Sequence, residues 1–144
     1  MRTTSDRLWT WLAPDAGGHP PGPEWLRHGG KWILFDSRAA IESLAGRLAP
    51  YLDRGEIRGA KYWNGDPSAI NVYSLDRDKR RSAEILDAAG AGGYKVWEYD
   101  YAWDKNLANP CVFLYSQTSK LATILKSQGV RGALQLAAEV LRGR

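Results

Sequence analysis

The sequence predicts an α+β fold in which a mainly antiparallel sheet has helices packed on one face. Strand-like segments come in hairpin pairs that alternate with single amphipathic helices. Hydrophobic residues make up 44% and charged residues 25% of the 144 residues, which is typical of one globular domain rather than a disordered chain. Each element is justified below in chain order.

Residues 1–29 differ from the rest because they are rich in proline and glycine. The segment APDAGGHPPGPEW cannot hold a regular element for long. Trp9, Trp11 and Trp25 flank or end this segment, and such large side chains are poorly placed on a free tail. We therefore expect an N-terminal arm over residues 1–29 that docks on a single α+β domain of residues 30–144.

The first strand and first helix follow the arm. Residues 31–35, KWILF, read as a compact apolar strand. Asp36 or Ser37 can cap the next helix, because a short side-chain oxygen accepts hydrogen bonds from the first free amides. Pro50 is expected to bend or end this helix, and Gly55 fits its stop. Its inward positions recur at helical spacing: Ile41, Leu44, Leu48 and Leu52.

A hairpin and a second helix come next. Residues 56–63 and 69–74 read as strands, and NGDPS between them is a dense turn signal. Asp76 begins the second helix, which has charged residues on its outer side and ends at a glycine-rich segment.

The fourth predicted strand is the aromatic segment YKVWEYDYAWDK at residues 94–105. Alternation groups one lysine with the rings on one face: Lys95, Trp97, Tyr99 and Tyr101. The other face carries Val96, Glu98 and Asp100. Because acids avoid cores, the aromatic face is favoured for packing, which leaves Glu98 and Asp100 on an open face. The opposite arrangement, an aromatic stacking platform, stays open. Trp103 follows in a loop that faces a ligand more readily.

The remaining chain is predicted to hold a fifth strand and a helix. The strand is NPCVFLYS at residues 109–116, and residues 118–142 are helical in one or two pieces around Gly129. Cys111 is the single cysteine, which excludes an internal disulfide. Its apolar neighbours predict a buried structural thiol.

Charge and composition narrow the partners. The net charge of +4 and the pI near 9.3 suit an acidic partner such as phosphate, nucleotide or nucleic acid. No cluster with zinc-ligand spacing and no phosphate-loop motif occurs, so neither a metal nor a cofactor is expected. No signal peptide and no run of roughly 20 apolar residues is present, which predicts a cytoplasmic protein without membrane contact.

Four positions outside the fourth strand are candidates for chemistry. Lys61 lies mid-strand on the face of Trp63, where a lysine needs an exposed surface or a charged partner. Lys31 follows two glycines in RHGGK, a pattern that can cradle an anion. Arg77 begins the run RDKRR at a helix N-terminus, where positive charge opposes the helix dipole. His28 is the better placed histidine for acid–base work. For each, the alternative is a solvated surface residue.

The segments GGKWILF, GAKYW and VYSLD, followed by a helix ending near YK, resemble the family of phosphothreonine lyase domain-containing proteins. That family is associated with a fold like that of the cap-binding translation initiation factor. The resemblance covers residues 30 to 115 and implies a curved antiparallel sheet with helices on its convex side and a concave pocket. The matching positions are Gly30, Lys31, Trp32, Lys61, Tyr73, Asp76, Tyr94 and Lys95.

The cap-binding comparison implies that a phosphorylated, nucleotide-like ligand binds in the pocket. Trp63 and Trp103 would stack on its base. Glu98 and Asp100 would accept hydrogen bonds from a cationic or guanine-like edge. Basic side chains would neutralise its phosphate: Lys31, Lys61, Arg77 and Lys95.

The lyase comparison implies a different function, the elimination of phosphate from a phosphorylated residue or metabolite. Lys61 or Lys95 would be the base and His28 the acid in that reaction. A third alternative is a protein-interaction module that uses the tryptophan-bearing arm. A protein or an RNA is therefore a further candidate partner.

Overall fold

The computed structural model describes residues 1–14 and 22–142 and has the predicted α+β architecture. Its strands are β1 (Arg2–Ser5), β2 (Trp9–Ala13), β3 (Gly29–Asp36), β4 (Gly59–Trp63), β5 (Ser68–Leu75) and β6 (Val96–Tyr99). Its helices are α1 (Pro23–His28), α2 (Arg38–Asp53), α3 (Lys79–Ala88), α4 (Trp103–Leu107) and α5 (Pro110–Arg142), and a 3-10 turn at Asp76–Asp78 precedes α3.

Within the described residues the strands form one antiparallel sheet in the order β1-β2-β4-β5-β3-β6. Residues directly opposite each other in a ladder share a face, so the register defines two faces. We name each face after the helix that covers it. The α2 face carries Leu12, Trp32, Leu34, Ala60, Ile70, Val72 and Trp97. The α5 face carries Trp9, Trp11, Lys31, Ile33, Lys61, Trp63, Asn71, Tyr73 and Glu98.

The main core lies between the α2 face and helices α2 and α3. Ser37 caps α2, since its hydroxyl accepts a hydrogen bond from the Ala40 amide at 3.3 Å. Pro50 does not end the helix, which continues to Asp53, and Gly55 with φ 71° follows it. Each inward residue contributes roughly 1.5–3 kcal/mol by leaving water. All four predicted positions are buried: Ile41, Leu44, Leu48 and Leu52.

The N-terminal segment is part of the sheet. Residues 2–5 and 9–13, predicted to lie in an arm over the domain, form an edge hairpin that pairs with β4. Trp11 lies opposite Lys61 and Trp9 opposite Trp63. Residues 15–21, the centre of the proline- and glycine-rich segment, lie outside the described residues. The pairing of β2 depends on a strand fifty residues away, so no local pattern could reveal it.

The predicted fifth strand at residues 109–116 is wrong, because residues 110–116 begin α5. Pro110 occupies the first helical position, where its missing N–H costs nothing. Ser116 and Thr123 are both buried and lie seven residues apart, which is the spacing of one helix face. A short apolar run fits either a strand or a covered helix, so periodicity alone could not decide. Cys111, predicted to be buried, is exposed on this helix.

Helix α5 covers the face opposite α2. The Ser116 hydroxyl donates to Glu98 at 2.8 Å, and the Trp63 indole donates to the Ser127 hydroxyl at 3.0 Å. Helices therefore lie on both faces of the sheet, whereas the sequence predicts them on one. Gly129 adopts φ 68° and breaks the helix where the sequence predicts. Among residues 1–14 and 22–142, no helix combines the length and apolar character needed to cross a membrane.

Candidate ligand-binding site

Lys61 lies in the middle of β4 and is a half-buried ammonium group on the α5 face. Its Nζ is 4.5 Å from the ring centroids of both Trp9 and Trp11. No carboxylate in the described parts of the chain forms an ion pair with it. Burial lowers the pKa of Lys61, and the nearby ammonium groups of Lys31 and Lys120 lower it further. The sheet therefore holds a positive charge that forms no ion pair within the described residues, although the more distant charges of Asp100 and Asp6 act to raise its pKa.

Lys61 faces a cavity of about 470 Å³ beside β2 and β4. One wall is the half-exposed Trp11 of β2, and another is Trp25 of α1, which is 7% exposed. Arg58 also lines the cavity, and no ion pair holds its guanidinium among the described residues. The remaining polar and aromatic lining comes from Tyr73, Asp100 and Tyr101.

Asp100 anchors the acidic side of this cavity. Its Oδ1 accepts from Lys31 Nζ at 2.7 Å, and its Oδ2 accepts from the Trp25 indole at 3.4 Å. Burial raises the pKa of the Tyr73 hydroxyl, and the Asp100 charge raises it further. Tyr73 therefore stays protonated at neutral pH. Lys31 and Asp100 thus meet at one site, as two of the residues that the sequence singles out.

Glu98 is the buried acid of the same face. It is 3% exposed and accepts from Ser116 and from Lys120 Nζ, the latter at 2.5 Å. Burial lowers the pKa of Lys120 even though the Glu98 carboxylate raises it. The prediction that Glu98 lines an open face is wrong, because α5 replaces the predicted fifth strand and covers it. Asp100, which was predicted to lie on the same open face, does line the cavity of Lys61.

The two tryptophans predicted to stack on a ligand are not brought together. Trp63 is 4% exposed and packs edge to face on Trp9, with ring centroids 5.3 Å apart. Trp103 begins α4 rather than lying in a loop, is 50% exposed, and packs against Phe113 at 5.7 Å. Neither ring lines the cavity of Lys61.

His28 and Arg77 lie together in a separate groove, between α1 and the 3-10 turn. His28 Nδ1 is 3.1 Å from Asp76 Oδ2, and Arg77 Nη1 donates to Glu24 at 2.5 Å. Burial raises the pKa of Asp76, but the hydrogen bond and charge of His28 and the charge of Lys105 outweigh it, so the pKa is lowered. His28 and Arg77 thus each have an acidic partner within the groove.

Lys95 lies just before β6 and forms an ion pair with Asp87 of α3. It lines a third groove, beside β6, α4 and α5. The three residues predicted as catalytic, Lys61, Lys95 and His28, therefore line three different cavities. The structure does not assemble them into one acid–base site.

Several site residues escaped prediction: Trp11, Trp25, Arg58, Tyr101 and Lys120. The spacing of Trp9 and Trp11 in WTW is a period-two signal that could have revealed β2 and its ring-bearing face. Lys120 had no such signal, because its partner Glu98 is distant in sequence. In the described residues no three acidic, histidine or cysteine side chains gather as a metal site would require.

No protein-family model matches this chain, and the search of curated proteins finds no significant match. The resemblance to the phosphothreonine lyase domain family therefore stays a prediction from short motifs.

Proposed function

We propose that the cavity on the α5 face binds a small phosphorylated, nucleotide-like ligand. The observation that carries this proposal is the ammonium group of Lys61, which is half buried and has no carboxylate partner among the described residues. Holding such a charge out of water costs folding free energy. A ligand phosphate would supply the missing negative charge, so binding would recover that cost.

Arg58 strengthens the proposal because it adds to the same cavity a second cation that forms no ion pair among the described residues. A guanidinium can bind two phosphate oxygens at once, whereas an ammonium acts as a compact point charge. Lys61 lies within β4, and the exposed Arg58 lies just before that strand begins. Both side chains line the cavity in which the phosphate would bind.

Aromatic rings suit the flat part of such a ligand. Trp11 and Tyr101 line the cavity and are 42% and 52% exposed, so their rings retain free surface. A base that stacks on one such ring gains roughly 1–3 kcal/mol. The cavity volume of about 470 Å³ is in the range of small-molecule sites.

Asp100 would orient the base. Its two oxygens each hold one partner, Lys31 and Trp25, and a carboxylate has about four lone-pair directions. The free directions can accept a ligand N–H. This favours bases that present donors at their edge, and it matches the guanine-like edge that the sequence predicts.

The direct test is a titration of the full chain with adenosine and guanosine mono-, di- and triphosphates, followed by tryptophan fluorescence. We expect quenching, and Lys61→Met should weaken the affinity roughly 10- to 100-fold. Lys126→Met is the matched control, since Lys126 is exposed on α5 and lies away from this cavity. Unchanged fluorescence and unchanged thermal stability with all six nucleotides would contradict the proposal.

A phosphate-eliminating lyase is the second candidate, and the lowered pKa of Lys61 favours it. A lysine can act as a base only in its neutral form, which burial promotes. His28 lines another groove, so Tyr73, which stays protonated and lines this cavity, is the candidate acid. The test is phosphate release with an unsaturated product by mass, abolished in Lys61→Ala. If the protein binds nucleotide but releases no phosphate, the binding function is supported and the lyase function is contradicted.

A further inference from the structure

The basic run RDKRR at the start of α3 contains one lysine that behaves unlike its neighbours. Arg77 pairs with Glu24, Arg80 with Glu84, and Arg81 with Glu56. Lys79 forms no ion pair with any carboxylate in the described residues. The three arginines of the run therefore form ion pairs at the surface, whereas Lys79 does not.

Lys79 extends over two aromatic rings. Its Nζ is 5.5 Å from the ring centroid of Trp32 and 5.4 Å from that of Trp97. Trp32 is fixed in place, because its indole donates to the Lys79 carbonyl and to the Ser82 hydroxyl, both at 3.1 Å. Trp97 packs edge to face on Trp32 at 5.5 Å. The ammonium therefore has a defined position over a rigid aromatic pair.

Two further ammonium groups reach the groove of about 280 Å³ that Lys79 lines, beside β6, α4 and α5. Lys95 pairs with Asp87, whose own side chain is mostly exposed. Lys105 Nζ lies 4.8 Å from the Tyr99 ring centroid, donates to the Arg27 carbonyl and is 3.6 Å from Asp76. Three lysines therefore line the groove, and among the described residues only Lys95 and Lys105 pair with a carboxylate.

The acid that lines this groove does not neutralise the third charge. Glu98 also lies on its boundary, but its carboxylate already accepts from Ser116 and Lys120. Within the described residues the positive charge of Lys79 is therefore left without a carboxylate, which favours an anionic ligand. A phosphate monoester carries up to two negative charges at neutral pH, so it attracts this ammonium group more strongly than a carboxylate does.

The rest of the groove is aromatic. Trp97 and Tyr99 pack edge to face with centroids 5.9 Å apart, and Phe113 of α5 lies on the boundary as well. Apolar walls beside a cationic end suit a ligand with a small ring and a charged head. The smaller volume, against about 470 Å³ for the cavity of Lys61, favours a compact ring over a whole nucleotide.

We propose that this groove is a second ligand site, which binds an aryl phosphate with its phosphate at Lys79 and its ring against Trp97 and Tyr99. The site is independent of the cavity of Lys61, because the two share no lining residue. The same chemistry is present in a free aryl phosphate and in a phosphotyrosine side chain of another protein.

The test is a titration of the full chain with phenyl phosphate, followed by the indole N–H signals in NMR spectra. We expect the signals of Trp32 and Trp97 to shift and those of Trp9 and Trp11 to stay. Lys79→Met should weaken the affinity roughly tenfold or more, and Lys79→Arg should restore most of it. Lys61→Met and Lys126→Met, as controls, should change it less than about twofold.

Three outcomes would overturn the proposal. The first is no shift at millimolar phenyl phosphate, and the second is a loss of binding in Lys61→Met with none in Lys79→Met. The third is inorganic phosphate binding as tightly as phenyl phosphate, which would remove the role of the ring. If Lys79→Met unfolds the chain, two measurements still test the proposal. These are the shift of the Trp97 signal in the wild-type protein and the affinity of Lys79→Arg for phenyl phosphate. A short phosphotyrosine peptide that binds more tightly than phenyl phosphate would identify a protein side chain as the source.

Discussion

The protein contains two lysine–tryptophan clusters that look alike but differ in their surroundings. Lys61 lies over Trp9 and Trp11 on the α5 face, and Lys79 lies over two tryptophans at the groove beside β6. Neither lysine has a carboxylate partner among the described residues, and burial lowers the pKa of both. Only Lys61 is also destabilised by neighbouring ammonium groups, those of Lys31 and Lys120.

The two lysines differ in how the fold restricts their side chains. Lys61 stands on a strand between two paired strands, so the sheet ladder prevents it from turning away toward water. Lys79 begins a helix at the protein surface, and its ammonium group is less deeply buried than that of Lys61. A pair of tryptophan rings therefore lies beside a trapped charge at Lys61 and beside a surface charge at Lys79, and variants of each cluster test this contrast.

The largest effect is expected from Glu98→Ala, which would break the ion pair between the buried Glu98 and Lys120 on the α5 face. Lys120 would lose its partner while α5 still covers it. We expect a loss of roughly 2–3 kcal/mol in the free energy of unfolding, less than for a fully buried pair because Lys120 keeps some contact with water. Glu84→Ala, at an exposed pair on α3, should cost under about 0.5 kcal/mol in the same urea titration. Equal losses in both variants would contradict the buried pair.

Lys61→Met should separate function from stability. Removing the trapped charge should raise the free energy of unfolding by roughly 1 kcal/mol, or about 2–4 °C in Tm, while nucleotide binding is lost. Lys79→Met, from the more exposed cluster, should raise stability less and should leave nucleotide binding intact. Thermal unfolding and a nucleotide titration on both variants measure the contrast. A lower Tm for Lys61→Met would show that the charge is stabilising and would contradict the trapped-charge description.

Trp11→Ala should weaken nucleotide binding, whereas Trp103→Ala should leave it unchanged. Trp11 is a partly exposed ring at the cavity, so truncation removes a stacking surface worth roughly 1–2 kcal/mol together with the buried part of the ring. Trp103→Ala is the matched control, because Trp103 is similarly exposed but lies on α4. Weaker binding in Trp103→Ala alone would restore the stacking role that the sequence predicts for that ring.

The stability of the protein should rise modestly as the pH increases toward the ordinary titration range of lysine. The folded pKa of Lys61 is lowered from 10.5, so in this range the unfolded chain binds more protons than the folded one, and stability increases with pH. Above about pH 10 the trend should reverse, because the raised pKa of Tyr73 keeps a proton that the unfolded chain releases. Urea midpoints at several pH values measure this, and Lys61→Met should flatten the rise. An unchanged slope in that variant would mean that Lys61 does not cause it.

The smallest effect is expected from Arg77→Ala and His28→Ala. Both side chains are paired with acids in their own groove, away from either lysine cluster. Nucleotide affinity and phenyl phosphate affinity should each change by less than about twofold. A tenfold loss of nucleotide binding in either variant would return that groove to the candidate site and would revive the ligand roles that the sequence predicts for them.

Local patterns predicted the parts of the fold that depend on neighbours in the chain. The cap at Ser37, the inward leucines of α2 and the hairpin of β4 and β5 follow from turn chemistry and periodicity. Residues 109–116 were predicted to form a strand, because a run of four apolar residues fits either a strand or a helix. In the structure residues 110–116 are helical, and Ser116 of this helix contacts Glu98 of the sheet. β2 was missed because its pairing partner is distant in sequence.

The sequence by itself determined which residues share a strand face, such as Lys61 with Trp63 and Glu98 with Asp100, because alternation is a property of the local backbone. Only the tertiary structure decided what stands opposite them. The pairing of β2 with β4 places Trp11 beside Lys61. The packing of α5 covers Glu98, whereas Asp100 lines the cavity. Such neighbours depend on the free energy of the whole sheet and its covering helices, which no short pattern in the chain contains.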